Sequence, residues 1–284
     1  MSIMRNVSFI LVIVISSVSS AYAVVDFDES FEYTSNLTMV IPVGPWDSSC
    51  PPNHVGVSDP VLGNPHSGSR SLHLTYPPPD SEGGCSKNRD HTPTDVLYQR
   101  WWMYVSSGFL GYPDVGTKLI ANGPSGLYPS MWWLATTYGS GSAPMIFGVA
   151  TQGTYSSPGV YPSPLLNGGT IPRGVYTCVE TEIRFNTPGL PNGVVRAWIN
   201  GVLVISNTSF NWRGPVLAPV CPGCASNSPT AQMNTMQFYR QHGNGFIDYD
   251  DYAISRDARI GCVVGGITPP DPVVPRAPSG FRIN

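Results

Sequence analysis

The fold is decided by residues 96–105, which read Val96-Leu97-Tyr98-Gln99-Arg100-Trp101-Trp102-Met103-Tyr104-Val105. Side chains alternate between the two faces of a β-strand, so the even-numbered residues from Tyr98 to Tyr104 share one face and the odd-numbered residues from Leu97 to Met103 share the other. Both faces carry aromatic rings. The stretch therefore predicts a central strand with a packed core on one side and a lined groove on the other.

Further short strands are predicted on both sides of this stretch, each bounded by Gly, Pro, Ser or Asn. They cover residues 26–31, 69–76, 117–120, 131–136, 144–150, 176–185, 193–205, 233–241 and 245–255. Asn200-Gly201 has the composition of a tight turn. The stretches 77–93 and 155–172, rich in Pro, Gly and Ser, are predicted as loops. Many short strands at regular spacing predict an all-β fold, namely an antiparallel jelly-roll sandwich of two sheets.

The composition agrees with short strands joined by tight turns. The 284 residues include 30 Gly and 29 Pro, and 12% of them are charged. The net charge is −3, which argues against nucleic acid or an anionic membrane as a partner. We expect a monomer.

The first residues predict an export signal over 1–23. Arg5 supplies the positive start, residues 9–15 supply the apolar stretch, and Ala21-Tyr22-Ala23 forms the cleavage site. We therefore expect a mature protein that begins at Val24 and is secreted, either to the extracellular space or to the periplasm. The jelly-roll domain is predicted over 24–264 and a Pro-rich tail over 265–284. Later apolar runs are too short for a membrane-spanning helix, so we expect no membrane anchor.

Six cysteines form an even set, which predicts two or three disulfides in an exported protein. They are Cys50, Cys85, Cys178, Cys221, Cys224 and Cys262. The fourth and fifth cysteines form the motif Cys221-Pro-Gly-Cys224, which has the spacing of a redox or zinc half-site. No second such pair lies near it in the sequence, so a structural disulfide is the favoured interpretation. We expect no cofactor. Asp248, Asp250 and Asp251 near a tight bend could bind a structural calcium ion, with a surface acidic cluster as the alternative.

Two neighbouring segments resemble a pattern found in secreted polysaccharide lyases. They read Tyr176-Thr177-Cys178-Val179-Glu180-Thr181-Glu182-Ile183-Arg184-Phe185-Asn186-Thr187-Pro188-Gly189 and Asn192-Gly193-Val194-Val195-Arg196-Ala197-Trp198-Ile199-Asn200-Gly201. In those enzymes an aromatic residue and a Glu precede an Asn-Thr-Pro-Gly turn, and the next strand carries a Trp and an Asn-Gly or Asp-Gly turn. Residues 97–102, 117–119 and 247–255 also match. The resemblance covers about residues 95–256, is closest to the alginate and glucuronan lyase group, and implies a concanavalin A-like jelly roll.

The resemblance also implies β-elimination in an acidic, uronic-acid polysaccharide. Such a lyase neutralises the substrate carboxylate, removes the proton next to it and protonates the departing oxygen. Arg100 is the predicted carboxylate clamp, because a guanidinium can hold a carboxylate through two parallel hydrogen bonds. The structural alternative for Arg100 is an ion pair with Glu180 or Glu182 on a neighbouring strand.

Three more residues are predicted to take part in the chemistry, and we expect Arg100, Lys118 and Tyr239 to lie in one groove, or trough, with the substrate. Lys118 lies where the lyase-like pattern has a Lys, and could neutralise charge or move a proton if burial lowered its pKa. Tyr239 is the predicted proton-transferring phenol, and His242 follows it at the end of the same strand. Their structural alternatives are a solvated lysine at a sheet edge, a half-buried aromatic residue and a surface histidine.

Six residues are predicted to bind substrate without taking part in the chemistry. They are Tyr98, Trp102, Trp133, Gln237, Gln241 and Glu180. Aromatic rings can stack on sugar rings, and Gln amides can hydrogen-bond to sugar or carboxylate. Glu180 matches the Glu of the lyase-like pattern.

Two other classes of function stay open. A carbohydrate-binding or adhesive module needs no acid or base, and residues 130–133 and 145–148 lack the second Arg and the paired Tyr that the lyases carry after their Lys strand. A jelly-roll glycoside hydrolase needs two carboxyl groups facing the sugar bond. Glu180 and Glu182 lie on one face of a predicted strand and are the candidates for that pair.

Overall fold

The computed structural model describes residues 24–32, 47–48, 55–57, 65–76, 85–111, 116–124, 130–136, 143–152, 163–216, 218–219, 226–241 and 243–262. The predicted export signal, the Pro-rich tail, His242, Cys50, Cys221 and Cys224 lie outside these residues. None of the described residues forms a helix that could cross a membrane.

The regular secondary structure of the described residues consists of β-strands, here numbered in chain order. They are β1 (Val25–Glu29), β2 (Asp47–Ser48), β3 (Val55–Val57), β4 (Leu72–Tyr76), β5 (Cys85–Thr94), β6 (Val96–Val105), β7 (Leu110–Gly111), β8 (Thr117–Gly123), β9 (Ser130–Thr136), β10 (Met145–Gln152), β11 (Ser163–Ile171), β12 (Tyr176–Arg184), β13 (Gly193–Ile199), β14 (Val202–Phe210), β15 (Ala218–Pro219), β16 (Ser226–Asn227), β17 (Met233–Gln241) and β18 (Gly243–Ser255).

The strands assemble into two large antiparallel sheets. The nine-stranded sheet has the order β14-β13-β12-β6-β18-β4-β3, with β1 and β7 also paired to β18. The seven-stranded sheet has the order β11-β10-β9-β8-β17-β5-β2, and β15 pairs with β16. The predicted all-β, two-sheet jelly-roll sandwich is confirmed.

The core lies between the two sheets and is built by period-two alternation. In β6, Leu97, Trp101 and Met103 are fully buried, whereas Tyr98 and Trp102 on the other face are half-buried. Aromatic rings join the sheets, since Trp101 of the nine-stranded sheet contacts Phe147 of the seven-stranded sheet at 6.4 Å between ring centroids. The even-numbered face of β6 therefore points away from the core, on the outside of the nine-stranded sheet.

Two strands occupy stretches that were predicted as loops. β5 pairs with β17 over Cys85–Thr94, and β11 pairs with β10 over Ser163–Ile171. β11 is an edge strand, where Pro and Gly are tolerated because one side of the strand needs no ladder hydrogen bonds. The prediction of loops from Pro and Gly content was therefore wrong for β5 and β11, which lie away from the centre of the seven-stranded sheet.

Turn chemistry and one disulfide agree with the sequence. Asn200 and Gly201 have φ angles of 49° and 81°, the left-handed values that a two-residue hairpin turn between β13 and β14 requires. Asn186 is fully buried, and its side chain accepts a hydrogen bond from the Arg213 N–H at 2.7 Å and donates one to the Arg213 carbonyl at 2.8 Å. A disulfide joins Cys178 of β12 to Cys262 beyond β18.

Candidate functional site

Lys118, Trp132, Gln237, Tyr239 and Gln241 lie together on the outer surface of the seven-stranded sheet. We call this set the lysine face. Met236 and Phe238 of β17 are buried in the core. Because side chains alternate along a strand, Gln237 and Tyr239 point outward. The register aligns Gln237 with Ala121 of β8, and Ala121 with Trp132 of β9. Three neighbouring strands thus bring these side chains to one surface.

A β-bulge turns Lys118 to this surface. Ile120 pairs with Trp133 and Lys118 pairs with Leu134, so β8 has one more residue than β9 at this point. Leu119 and Ile120 are both fully buried. Without the extra residue, strict alternation would put Lys118 on the core side with Ile120. The bulge therefore determines that the ammonium group lies outside the core.

The Lys118 ammonium lies over two aromatic rings. Its Nζ is 4.4 Å from the ring centroid of Trp132 and 5.2 Å from that of Tyr239, and the two rings meet edge to face at 4.7 Å and 83°. Among the described residues no carboxylate forms an ion pair with Lys118. Burial lowers the pKa of Lys118. A half-buried lysine on aromatic rings replaces the alternative of a solvated edge lysine.

Polar atoms on the lysine face lack partners within the part of the chain that the structure describes. Gln241 pairs in register with Lys118, and its Oε1 is buried without a hydrogen-bond partner. The indole Nε1 of Trp132 is in the same state. Core residues such as Trp101 and Trp133 also have indole nitrogens without a partner among the described residues, so these two atoms do not by themselves mark a ligand position.

Arg100 does not lie with these residues, and the prediction of one trough containing Arg100, Lys118 and Tyr239 is wrong. Arg100 belongs to β6 and points outward from the nine-stranded sheet, on the opposite side of the sandwich. It is 6% exposed, its Nη2 lies 3.5 Å from Asp28 Oδ1, and its Nε donates to the Asp251 carbonyl at 3.3 Å. Its role here is structural, with Asp28 rather than Glu180 or Glu182 as its ion-pair partner.

Three predicted substrate-binding residues share the Arg100 surface. The Tyr98 hydroxyl donates to Glu182 Oε1 at 3.4 Å, and the Trp102 ring is covered by His66, with ring centroids 3.6 Å apart. Glu180 is 1% exposed and accepts hydrogen bonds from Arg259 Nε and the Gly261 N–H. These groups are engaged with protein partners on the side away from Lys118, so their predicted place in the same groove is wrong.

Trp133 is the other predicted ligand that the structure contradicts. It is fully buried and stacks on Phe147 with ring centroids 5.4 Å apart and planes 7° apart. Its neighbour Trp132 takes the outward position. Adjacent strand residues face opposite ways, so one of the two tryptophans had to be core, and the choice depended on a register that the sequence does not display.

The carboxyl pair considered for glycoside hydrolysis is not available to a sugar. Glu180 and Glu182 are 1% and 2% exposed. Glu180 pairs with Arg259, and Glu182 pairs with Arg196 at 2.8 Å and with Arg184 at 3.1 Å. Both act as buried counter-charges that hold the outer surface of the nine-stranded sheet together.

The acidic residues of β18 are also engaged with protein donors. Asp248 Oδ1 lies 2.6 Å from His73 Nδ1, and Asp251 Oδ2 lies 2.7 Å from His66 Nδ1. Asp250 accepts hydrogen bonds from the backbone N–H groups of His66 and Asp251. Burial is the main cause that raises the pKa of Asp250 to about 7. A calcium ion here stays a prediction, and it would have to replace these donors.

One group of ligating side chains lies close enough together to share an ion among the residues that the structure describes. It consists of Cys178, Glu180 and Cys262. Because the two sulfur atoms are joined to each other, this group offers no thiolate to a metal.

Comparison with solved structures relates this geometry to known proteins. A marine PL-14 alginate lyase from Aplysia kurodai aligns at a TM-score of 0.55 and 13% identity, covering 82% of this chain and 100% of that one. The cellulose induced protein Cip1 aligns at a TM-score of 0.50 and 18% identity, covering 84% of this chain and 100% of that one. The chain has a polysaccharide lyase-like jelly-roll fold. No protein-family model matches the sequence, and no curated protein sequence matches it.

The lyase-like jelly roll fixes the architecture and leaves the chemistry to the individual side chains. At these identities the similarity concerns the fold alone, so the lysine face has to be judged on its own geometry. Trp132 is the residue of this face that was not among the predicted substrate-binding residues, although the sequence marked it as one of several tryptophans that could stack on sugar rings. Its signal was the doublet Trp132-Trp133, in which exactly one ring can reach the outside of a half-buried strand.

Proposed function

We propose that this protein binds an acidic, uronic-acid polysaccharide on the lysine face and cleaves it by β-elimination. The observation that carries the proposal is the Lys118 ammonium, half-buried over Trp132 and Tyr239 and without a carboxylate partner among the described residues. A cation in such a position attracts an anionic ligand, and the rings beside it offer apolar surface to sugar rings. The alginate lyase with the same fold acts on a polymer of this class.

The reaction needs one proton removed and one proton supplied. In its neutral form, Lys118 takes the proton from the carbon next to the substrate carboxylate. The electrons of that C–H bond form a carbon–carbon double bond as the glycosidic C–O bond breaks. The phenol of Tyr239 then gives its proton to the departing oxygen. In this proposal, Gln237 and Gln241 donate amide hydrogen bonds to the carboxylate, whose negative charge grows as the proton leaves.

The lowered pKa of Lys118 supports its assignment as the proton acceptor. Burial disfavours the ammonium form and so increases the fraction of neutral amine at a given pH. The elimination rate should therefore rise as pH increases through the pKa of Lys118.

The test replaces one cation on each side of the sandwich. Lys118→Met removes the proposed base, and Arg184→Met removes a cation whose side chain is 47% exposed on the opposite surface. The absorbance of the unsaturated product is followed with alginate and with glucuronan. We expect Lys118→Met to lower the rate by about 10²–10⁴-fold, as loss of a general base does. We expect Arg184→Met to keep the rate within about twofold, because salt screens a surface charge on the opposite side of the sandwich.

A second candidate function is binding without cleavage, and the position of Arg100 favours it. Because Arg100 belongs to the other sheet, Lys118 is the one cation assigned to the lysine face. In a lyase it would have to neutralise the substrate carboxylate and also remove the adjacent proton. Retained polysaccharide binding with no unsaturated product would support this module. New reducing ends without that absorbance would instead indicate hydrolysis. In either case, action in the extracellular space or the periplasm follows from the predicted export signal.

A further inference from the structure

We infer that Tyr76 is a positioning residue that aims Lys118 and Tyr239 at the same point of the lysine face. Its hydroxyl lies 3.1 Å from the carbonyl oxygen of Lys118 and 3.0 Å from that of Tyr239, within hydrogen-bonding distance of both. The two residues contacted through their backbones are those given the proton-transfer roles, so this inference rests on the proposed function.

The contact is made across the core of the sandwich. Tyr76 belongs to β4 of the nine-stranded sheet and is 1% exposed, with its ring packed edge to face on Phe109 at 5.3 Å. Lys118 and Tyr239 belong to β8 and β17 of the seven-stranded sheet. A side chain of one sheet thus holds the inner backbone of the other, and the functional side chains project from the far surface.

The hydroxyl is located where the ladder between β8 and β17 is interrupted. Phe238 pairs with Ile120, and the next pair is Gln241 with Lys118, so two residues of β17 oppose Leu119 alone. A bulge frees backbone groups from the ladder, and a buried carbonyl that loses its ladder partner needs another donor. Tyr76 brings a donor to this gap. Its hydroxyl thereby supports the backbones of β8 and β17 beside Leu119, which is also the residue that β8 has in excess of β9, and sets the spacing between Lys118 and Tyr239.

The main test removes the hydroxyl alone. Tyr76→Phe keeps the ring in its packing and loses the contact with both carbonyls. The matched control is Tyr252→Phe, which also loses a fully buried phenol from the same core. The Tyr252 hydroxyl accepts a hydrogen bond from the Gln99 side chain of β6 at 2.6 Å.

Two readouts separate positioning from general stability. The sequence contains two lysines, Lys87 and Lys118, so selective lysine labelling gives two NMR signals to titrate. We expect Tyr76→Phe to raise the proton affinity of the Lys118 amine about tenfold as the group leaves its half-buried site, and Tyr252→Phe to leave it unchanged. On polysaccharide, we expect Tyr76→Phe to lower kcat about 10–100-fold with KM within about threefold, because misplacement of a reacting group by an ångström has this effect.

The outcomes distinguish this inference from the proposed function. A wild-type protein without eliminase activity would refute the proposed function, and the Lys118 titration would still test the role of Tyr76. The inference is overturned if Lys118 titrates identically in Tyr76→Phe and the wild type, or if Tyr252→Phe changes the titration equally. Tyr76→p-aminophenylalanine retains a donor and should restore the wild-type titration. If Tyr76→Phe does not fold, the test uses Tyr76→p-aminophenylalanine alone. Because that variant keeps a hydrogen-bond donor, a Lys118 titration different from that of the wild type would then overturn the inference.

Discussion

Trp132 and Trp133 are adjacent in sequence and point to opposite sides of β9, so Trp133→Ala should lose more stability and Trp132→Ala should lose more polysaccharide affinity. Trp133 is fully buried and stacked on Phe147. Truncation of a buried tryptophan costs about 3–5 kcal/mol, because it removes transfer free energy and leaves a cavity. Trp132 is half-buried and contributes an edge-to-face contact with Tyr239 and a cation–π contact with Lys118. Each is worth about 0.5–1.5 kcal/mol, so we expect Trp132→Ala to cost about 1–3 kcal/mol.

The same two variants should rank in the reverse order for polysaccharide binding. Guanidinium unfolding measures the stability of each variant, and titration with alginate oligosaccharides well below the unfolding temperature measures affinity. We expect Trp132→Ala to weaken binding by about fivefold or more, since stacking of a ring on an aromatic side chain is worth about 1 kcal/mol or more. Trp133→Ala should bind within about threefold of the wild type while folded. The reasoning is refuted if Trp133→Ala loses more affinity than Trp132→Ala, or if Trp132→Ala is the less stable variant.

Two further variants test the scaffold. Asn186→Ala leaves the buried Arg213 N–H and carbonyl without their side-chain partner. We expect the free energy of unfolding, measured with denaturant, to fall by about 3 kcal/mol. An unfolding midpoint equal to that of the wild type would contradict this. Burial raises the pKa of Asp250 from its ordinary value of 3.8 to about 7 in the folded protein. Between pH 4 and pH 7 the folded protein therefore keeps a proton on Asp250 that the unfolded chain has released. Stability should therefore decrease as pH rises from 4 to 7, by at most about 1.4 kcal/mol per pH unit, and Asp250→Asn should flatten this decrease when unfolding midpoints are compared across the range.

Strand positions could be predicted from the sequence where alternation is strong. The predicted stretches 96–105 and 233–241 coincide with β6 and β17. Strands with weak signals were missed, because β5 is polar and β11 contains Pro and Gly. Period-two patterning depends on apolar residues at alternate positions, and the sequences of these two strands lack that alternation.

Membership of a sheet could not be predicted in the same way. Alternation shows which residues of β6 share a face, and it placed Arg100 correctly opposite Trp101. It does not show that β6 pairs with β12 and β18, whereas β17 pairs with β5 and β8. These partners are distant in sequence, and their choice depends on long-range packing. Arg100 and Tyr239 were therefore assigned to one surface although their strands belong to different sheets.

The position of Lys118 shows why a local irregularity has a functional consequence that patterning cannot detect. Alternation from Ile120 would place Lys118 in the core, and the extra residue Leu119 reverses its direction. A buried lysine without a counter-ion would destabilise the sandwich by several kcal/mol. The bulge removes that penalty and brings the ammonium over Trp132 and Tyr239.

The partners of the charged groups distinguish the two outer surfaces of the sandwich. On the nine-stranded sheet, Arg100, Glu180 and Glu182 each have an oppositely charged protein partner, so an anionic polymer that bound there would have to break existing ion pairs. On the lysine face, Lys118 has no carboxylate partner among the described residues, and its charge is balanced only by ring faces. A polymer carboxylate bound there gains an ion pair without displacing one. Under the proposed function, the lysine face is therefore the outer surface on which binding of an acidic polysaccharide has the lower energetic cost.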